Sequence, residues 1–161
     1  QQPGIDPERI GVNGWSYGGY MVIKLLTNAP PGSFAAGIAV APSTRYELYD
    51  TVYTERYLGT PQANPEGYRR TSVFPDLPRL QTPLLLVHGM ADDNVLFTHS
   101  TELMAALQAQ GTPFRLMTYP GGKHGLSGKA MSQHVYQLFA DYFDEMLVSR
   151  PPSTRASRRR P

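Results

Sequence analysis

Short apolar runs alternating with helix-patterned segments predict an α/β fold around a mainly parallel sheet. The runs RIGVNG (9–14), AGIAVA (36–41), PLLLVH (83–88) and FRLMTY (114–119) have the length and composition of buried strands. Each is followed by a segment long enough to cross back over the sheet, as parallel neighbours require. Prolines and glycines punctuate the joins.

The elements follow in order. After the strand at 9–14, residues 17–27 place Met21, Val22, Leu25 and Leu26 at helical spacing and stop at Pro30-Pro31. The run at 36–41 ends at Pro42. Residues 44–57 (TRYELYDTVYTERY) form a helical or mixed stretch dense in tyrosine, and 59–82 reads as loop with short helical turns. PLLLVH is the clearest buried strand. An amphipathic helix over 98–110 has Gly111 as its C-terminal cap. The strand FRLMTY turns at Pro120-Gly121-Gly122. The last helix puts Met131, Val135, Leu138, Phe139, Tyr142, Phe143, Met146 and Leu147 on one face. That face suits either closure of the sheet or a homodimer, and closure is the expectation.

Residues 1–149 therefore read as one domain, without internal repeats, and 150–161 (RPPSTRASRRRP) as a disordered Arg/Pro-rich tail. With 161 residues, 40% hydrophobic and 17% charged, the chain is long enough to bury a core. No apolar run approaches the ~20 residues of a bilayer span, and no targeting leader is visible. The absence of cysteine excludes disulfides, thiolate catalysis and zinc ribbons. The net charge of +2 comes from the tail: without its five arginines, 10 basic residues face 13 acidic ones. A basic tail on a mildly acidic body is not a nucleic-acid footprint.

The chemistry lies in three loops, each after a strand, where α/β sheets gather functional groups. The first holds Ser16 in Gly14-Trp15-Ser16-Tyr17-Gly18, a G-x-S-x-G pattern. The second is Met90-Ala91-Asp92-Asp93-Asn94, and the third is Gly121-Gly122-Lys123-His124-Gly125. Serine, acid and histidine in that order is the chain order of α/β-hydrolases. A serine hydroxyl needs a histidine to take its proton, and the histidine needs a carboxylate to fix its tautomer. Gly14 and Gly18 leave room for the strained turn, and the Tyr17 N–H at the helix start becomes an oxyanion donor.

Singly, each residue has a plainer reading: Ser16 in a loop, Asp92 as a helix cap, His124 in solvent. Together, three loops in this order favour the triad. His88, His99 and His134 read as packed or solvent-facing. Asp92-Asp93 with His88 or His124 is the alternative metal group, but no recognised ligand spacing supports it. No metal and no cofactor are expected.

GWSYGGYM, RYELYDTVYTERYLGTP, HGMADDNV and YPGGKHG together resemble the catalytic domain of the prolyl oligopeptidase family of serine peptidases, closest to its dipeptidyl-peptidase IV branch and its bacterial members. The resemblance spans about residues 5–148. It implies Ser16 as nucleophile, Asp92 rather than Asp93 as acid, and His124 as general base. It also implies that Asn94 binds a substrate carbonyl, and that Tyr46, Tyr49, Tyr53 and Val95 wall a proline pocket. Tyr46 stands where a tryptophan is frequent and Ser43 where many relatives carry valine.

In that family a β-propeller holds the substrate's amino terminus, and earlier hydrolase strands supply a tyrosine as second oxyanion donor. The chain opens without methionine, close to Ser16, so it is expected to be the C-terminal portion of the hydrolase domain, with little activity alone. The resemblance implies release of Xaa-Pro dipeptides from peptide N-termini, an extracytoplasmic location, and dimerisation in the full-length enzyme. The alternatives are an acylaminoacyl-peptidase, oligopeptidase or esterase on the same fold, or a non-catalytic interaction module.

Overall fold

The computed structural model describes residues 3–149. Its four strands, β1 (Gly11–Trp15), β2 (Ala36–Val40), β3 (Leu84–Gly89) and β4 (Arg115–Tyr119), form one sheet in the order β1-β2-β3-β4. Every pairing is parallel. The helices are α1 (Tyr17–Asn28), α2 (Thr51–Leu58), α3 (Pro65–Thr71), α4 (Thr98–Ala109) and α5 (Lys129–Phe143). The predicted α/β sheet is therefore present, with all four carboxyl ends on one edge.

The sequence of β2 and β3 follows from their position. Both are buried along their whole length and covered on both faces, so AGIAV and LLLVHG run apolar without alternation. On one face Ala39, Leu84 and Leu86 pack with Val22, Ile23 and Leu26 of α1 and Leu103 and Leu107 of α4. On the other, Ile38, Val40, Leu85 and Val87 meet Val135, Phe139 and Tyr142 of α5. The outer strands β1 and β4 are only partly covered.

The final helix reaches back across the sheet. Phe143 and Leu147 pack against Gly11 of β1, so the apolar face of α5 closes the sheet. Helical winding then loosens into a π-helical turn at Asp144–Ser149. Tyr136, on the outer side of α5, is exposed.

Several boundaries differ from expectation. The first strand begins at Gly11 and includes Trp15, because Arg9 bonds back to Asp6 in a turn rather than joining the sheet. The tyrosine stretch is mixed, as expected: a 3-10 turn, Tyr46–Leu48, precedes α2, whose N-terminus is capped by Asp50 accepting from the Tyr53 N–H at 2.9 Å. Gly111 does follow α4 with φ +70°, the left-handed conformation that ends a helix. The tail at 150–161 lies outside the described residues.

Candidate active site

Ser16 stands at the join between β1 and α1. Its φ of 59° and ψ of −118° hold it in a conformation that non-glycine residues rarely adopt. The turn is pinned on both sides: the Ser16 N–H donates to Val40 O at 2.8 Å, and Ser16 O accepts from Tyr20 N at 3.0 Å. Strain of this kind costs about 1–3 kcal/mol and persists where surrounding packing enforces it. The Ser16 hydroxyl makes no side-chain hydrogen bond among the described residues. Tyr17, the first helical residue, has a backbone N–H with no acceptor within α1.

The glycine requirement falls differently from expectation. A Cβ on Gly14 would lie 2.2 Å from Gly18 O, so Gly14 is required. A Cβ on Gly18 would meet open space, so the close approach of its backbone requires glycine at 14 and not at 18. A third glycine, Gly19, is tight as well, since a Cβ there would come within 2.6 Å of Val40 O. It lets α1 pass close over the end of β2.

Asp92 and His124 arrive from the ends of β3 and β4. His124 Nδ1 lies 2.8 Å from Asp92 Oδ2. The Asp92 carboxylate has no exposure, while a quarter of the His124 side chain is accessible. Asp92 Oδ1 accepts from Asn94 N at 2.9 Å and Val95 N at 3.0 Å. Helix α4 begins only at Thr98, so Asp92 orders its own loop instead of capping that helix. Asp93 points outward and pairs with Lys123 at 2.7 Å, which holds its carboxyl below the usual range.

Two contacts join these loops to the rest of the site. Trp15 Nε1–H donates to His124 O at 2.8 Å, binding the histidine loop to the residue before Ser16. Tyr49 O–H donates to Asn94 Oδ1 at 2.8 Å, binding the tyrosine segment to the acid loop.

The expected pocket tyrosines, Tyr46, Tyr49 and Tyr53, lie within a longer aromatic run. Tyr17, Tyr20, Tyr46, Tyr49, Tyr53 and Tyr57 follow one another with ring centroids 5.1–6.4 Å apart. Tyr46 is buried, and burial pushes its hydroxyl well above the usual phenol value. Tyr49 is half-buried and Tyr53 exposed; Val95 has no exposure, and its N–H donates to Asp92. Ser43 is buried too. A separate cavity of about 500 Å³ lies at the far end of α1, lined by Leu26, Asn28, Pro31, Phe34, Arg79 and Gln81, away from Ser16.

Three residues make contacts here that their sequence positions do not show. Trp15 and Gly19 stand inside the quoted motif, but their contacts are long-range. His88 is packed, as expected, and its ring also bonds Asp92. Its signal was a polar residue closing the apolar run LLLV. Among the described residues no group of three or more His, Cys, Asp or Glu side chains is placed to hold a metal ion. Nor is any described helix long and apolar enough to cross a membrane.

A model of the prolyl oligopeptidase family matches residues 1–150. The chain belongs to this family. It is 44% identical over 144 residues to dipeptidyl peptidase 4 of Bos taurus, covering 88% of this chain and 19% of that protein. It is 40% identical over 152 residues to dipeptidyl peptidase 8 of Homo sapiens, covering 91% of this chain and 16% of that protein. The crystal structure of Porphyromonas gingivalis dipeptidyl peptidase 4 superposes with a TM-score of 0.87 at 39% identity, covering 91% of this chain and 21% of that one. The chain thus spans about a fifth of the length of these relatives. Within the prolyl oligopeptidase family its likeness is to the dipeptidyl-peptidase IV branch, and its parallel sheet with flanking helices is the α/β-hydrolase arrangement of that fold.

Proposed function

We propose that this chain carries the catalytic residues of a serine peptidase that releases dipeptides, Xaa-Pro foremost, from peptide N-termini. The observation that carries the reading is the hydrogen bond of His124 Nδ1 to the buried Asp92 carboxylate, in a loop tied by Trp15 to the Ser16 turn. With Nδ1–H given to Asp92, Nε2 is the free acceptor of the ring.

The steps follow from those positions. Ser16 Oγ attacks the scissile carbonyl carbon while His124 Nε2 takes its proton. The Asp92 carboxylate steadies the resulting imidazolium. The Tyr17 N–H donates to the carbonyl oxygen as it gains charge. His124 then protonates the departing amine, leaving an ester on Ser16. A water molecule, losing its proton to His124, hydrolyses that ester and restores the hydroxyl.

The tyrosine rings supply the specificity. A proline ring is small, rigid and apolar, and the rings of Tyr46, Tyr49 and Tyr53, packed edge to face, would give it aromatic walls. Asn94 uses its amide oxygen on Tyr49, so its NH₂ is left to donate to a substrate carbonyl. Two matched relatives are named dipeptidyl peptidases, which supports a dipeptide product.

The short coverage of those relatives supports a longer working enzyme. Upstream sequence would then supply the amino-terminal anchor and the second oxyanion donor. One missing oxyanion donor lowers turnover by about 10²–10³, so the isolated chain is nearly inactive on peptides. A homodimer of the whole enzyme would use a surface other than the apolar face of α5, which the sheet occupies.

The test is cleavage of Gly-Pro amides with free and acetylated amino termini by the full-length protein. Cleavage of the free form alone supports the dipeptidyl reading. Equal cleavage of both would make it an acylaminoacyl-peptidase or oligopeptidase. Cleavage of simple esters alone would make it an esterase, and no cleavage at all would favour an interaction module.

A further inference from the structure

Burying a histidine is costly unless its ring nitrogens find partners. His88 ends the apolar run of β3 with no exposure, and both nitrogens are engaged. Nδ1 lies 2.6 Å from Ser100 Oγ, in the first turn of α4. Nε2 lies 2.9 Å from Val95 O and 3.2 Å from Asp92 Oδ2. Both partners of Nε2 are acceptors, so Nε2 carries the proton and Nδ1 accepts from the Ser100 hydroxyl. The other tautomer would set a bare nitrogen against a carbonyl and a carboxylate. Burial holds the ring below the ordinary imidazole value, which keeps it neutral.

The carboxylate of Asp92 is thus held by four N–H groups. Asn94 and Val95 serve Oδ1, while His88 and His124 share Oδ2. The edge of the Phe97 ring packs on His88, with centroids 5.4 Å apart. Other titratable groups nearby are His99, beside Ser100; Tyr49, on Asn94; and the exposed Lys123–Asp93 pair.

We propose that His88, oriented by Ser100, is a positioning residue that fixes the Asp92 carboxylate and shares its Oδ2 with His124. The proposal rests on reading Asp92 and His124 as acid and base. A second N–H on Oδ2 draws off part of the charge that faces the imidazolium and stops the carboxylate from pivoting. Without it, His124 would keep its proton to higher pH and hold a less defined direction toward Ser16. The consequence falls on proton transfer rather than on peptide binding.

The experiment uses the full-length protein as wild type, His88→Leu and His88→Gln, with folding checked by circular dichroism. Diethyl pyrocarbonate acylates neutral imidazole, so the pH of half-maximal acylation of His124, mapped by mass spectrometry, reads the ring without any turnover. His88→Leu is expected to raise that pH by about half a unit or more. It should also lower kcat by about ten- to a hundredfold, with KM within about twofold. His88→Gln, whose amide can still donate toward Oδ2, should recover most of both effects. An unchanged acylation midpoint in folded His88→Leu overturns the proposal. Where that variant does not fold, Ser100→Ala decides: a smaller rise in the same direction supports the proposal, and no rise overturns it. Absence of Ser16-dependent turnover in the wild type would strike the peptidase reading alone, because acylation of His124 needs no turnover.

Discussion

The indole N–H of Trp15 donates to the backbone carbonyl of His124 at 2.8 Å, across 109 residues of sequence. The residue before Ser16 therefore sets where the histidine loop lies. Trp15→Phe keeps an aromatic ring but removes the donor, leaving a part-buried carbonyl unpaired. We expect kcat to fall about tenfold with KM little changed, the kinetic equivalent of about 1.4 kcal/mol. Steady-state kinetics on a Gly-Pro amide measures this, and an unaltered kcat would show that the loop is held elsewhere.

The two adjacent acids should behave very differently. Asp92 is buried with His124 on it, whereas Asp93 forms an exposed pair with Lys123. Exposed pairs contribute little. Asp93→Asn should leave kcat within about twofold, while Asp92→Asn should lower it by about 10³–10⁴, because the amide favours the wrong histidine tautomer. Comparable losses in the two variants would put the acid in the wrong place.

The glycines of the turn separate by the space around them. Gly19→Ala places a methyl 2.6 Å from Val40 O and should destabilise the fold by about 1–3 kcal/mol. Gly18→Ala points its methyl into open space within the first turn of α1, and should leave stability unchanged or raise it slightly. Thermal unfolding of the two variants side by side gives the answer. Equal losses would mean that the turn tolerates neither.

His99 gives stability a dependence on pH. Its ring is buried, which pushes its pKa down to about 4, and its Nδ1 accepts from the Thr44 N–H at 3.0 Å. The folded state keeps this ring neutral, while the unfolded chain takes a proton near the ordinary value of about 6.5. The contribution is therefore complete above about pH 6.5 and is lost as pH falls toward 4, by about 1.4 kcal/mol per pH unit. His99→Gln, which can still accept from Thr44, should close its stability gap to the wild type between pH 7 and pH 5. Unfolding curves that stay parallel across that range would contradict the assignment.

Much of this was legible in the sequence. The runs AGIAV and LLLV are apolar on both faces, and that pattern belongs to strands covered on both sides. The loops bearing Ser16, Asp92 and His124 each follow a strand, and parallel order brings such loops to one edge. What stayed hidden depends on contacts distant in sequence. Gly19 looks like any glycine in a helix until Val40 is placed beneath it. Trp15 shows no reason to reach His124, and the rings of Tyr17 and Tyr57 belong to one aromatic run only after the segment between them folds. His88 is the sharpest case. A histidine after four apolar residues marks a buried polar group, but its partners Ser100, Val95 and Asp92 appear only when β3 and α4 are packed together.

The central claim is that Ser16 is a nucleophile activated by His124, and labelling of the full-length protein with a fluorophosphonate tests it most directly. Mass spectrometry should find the phosphonyl group on the peptide containing Ser16, and the modification should vanish in His124→Ala. A label on another serine, or labelling of Ser16 that persists without His124, would contradict the account.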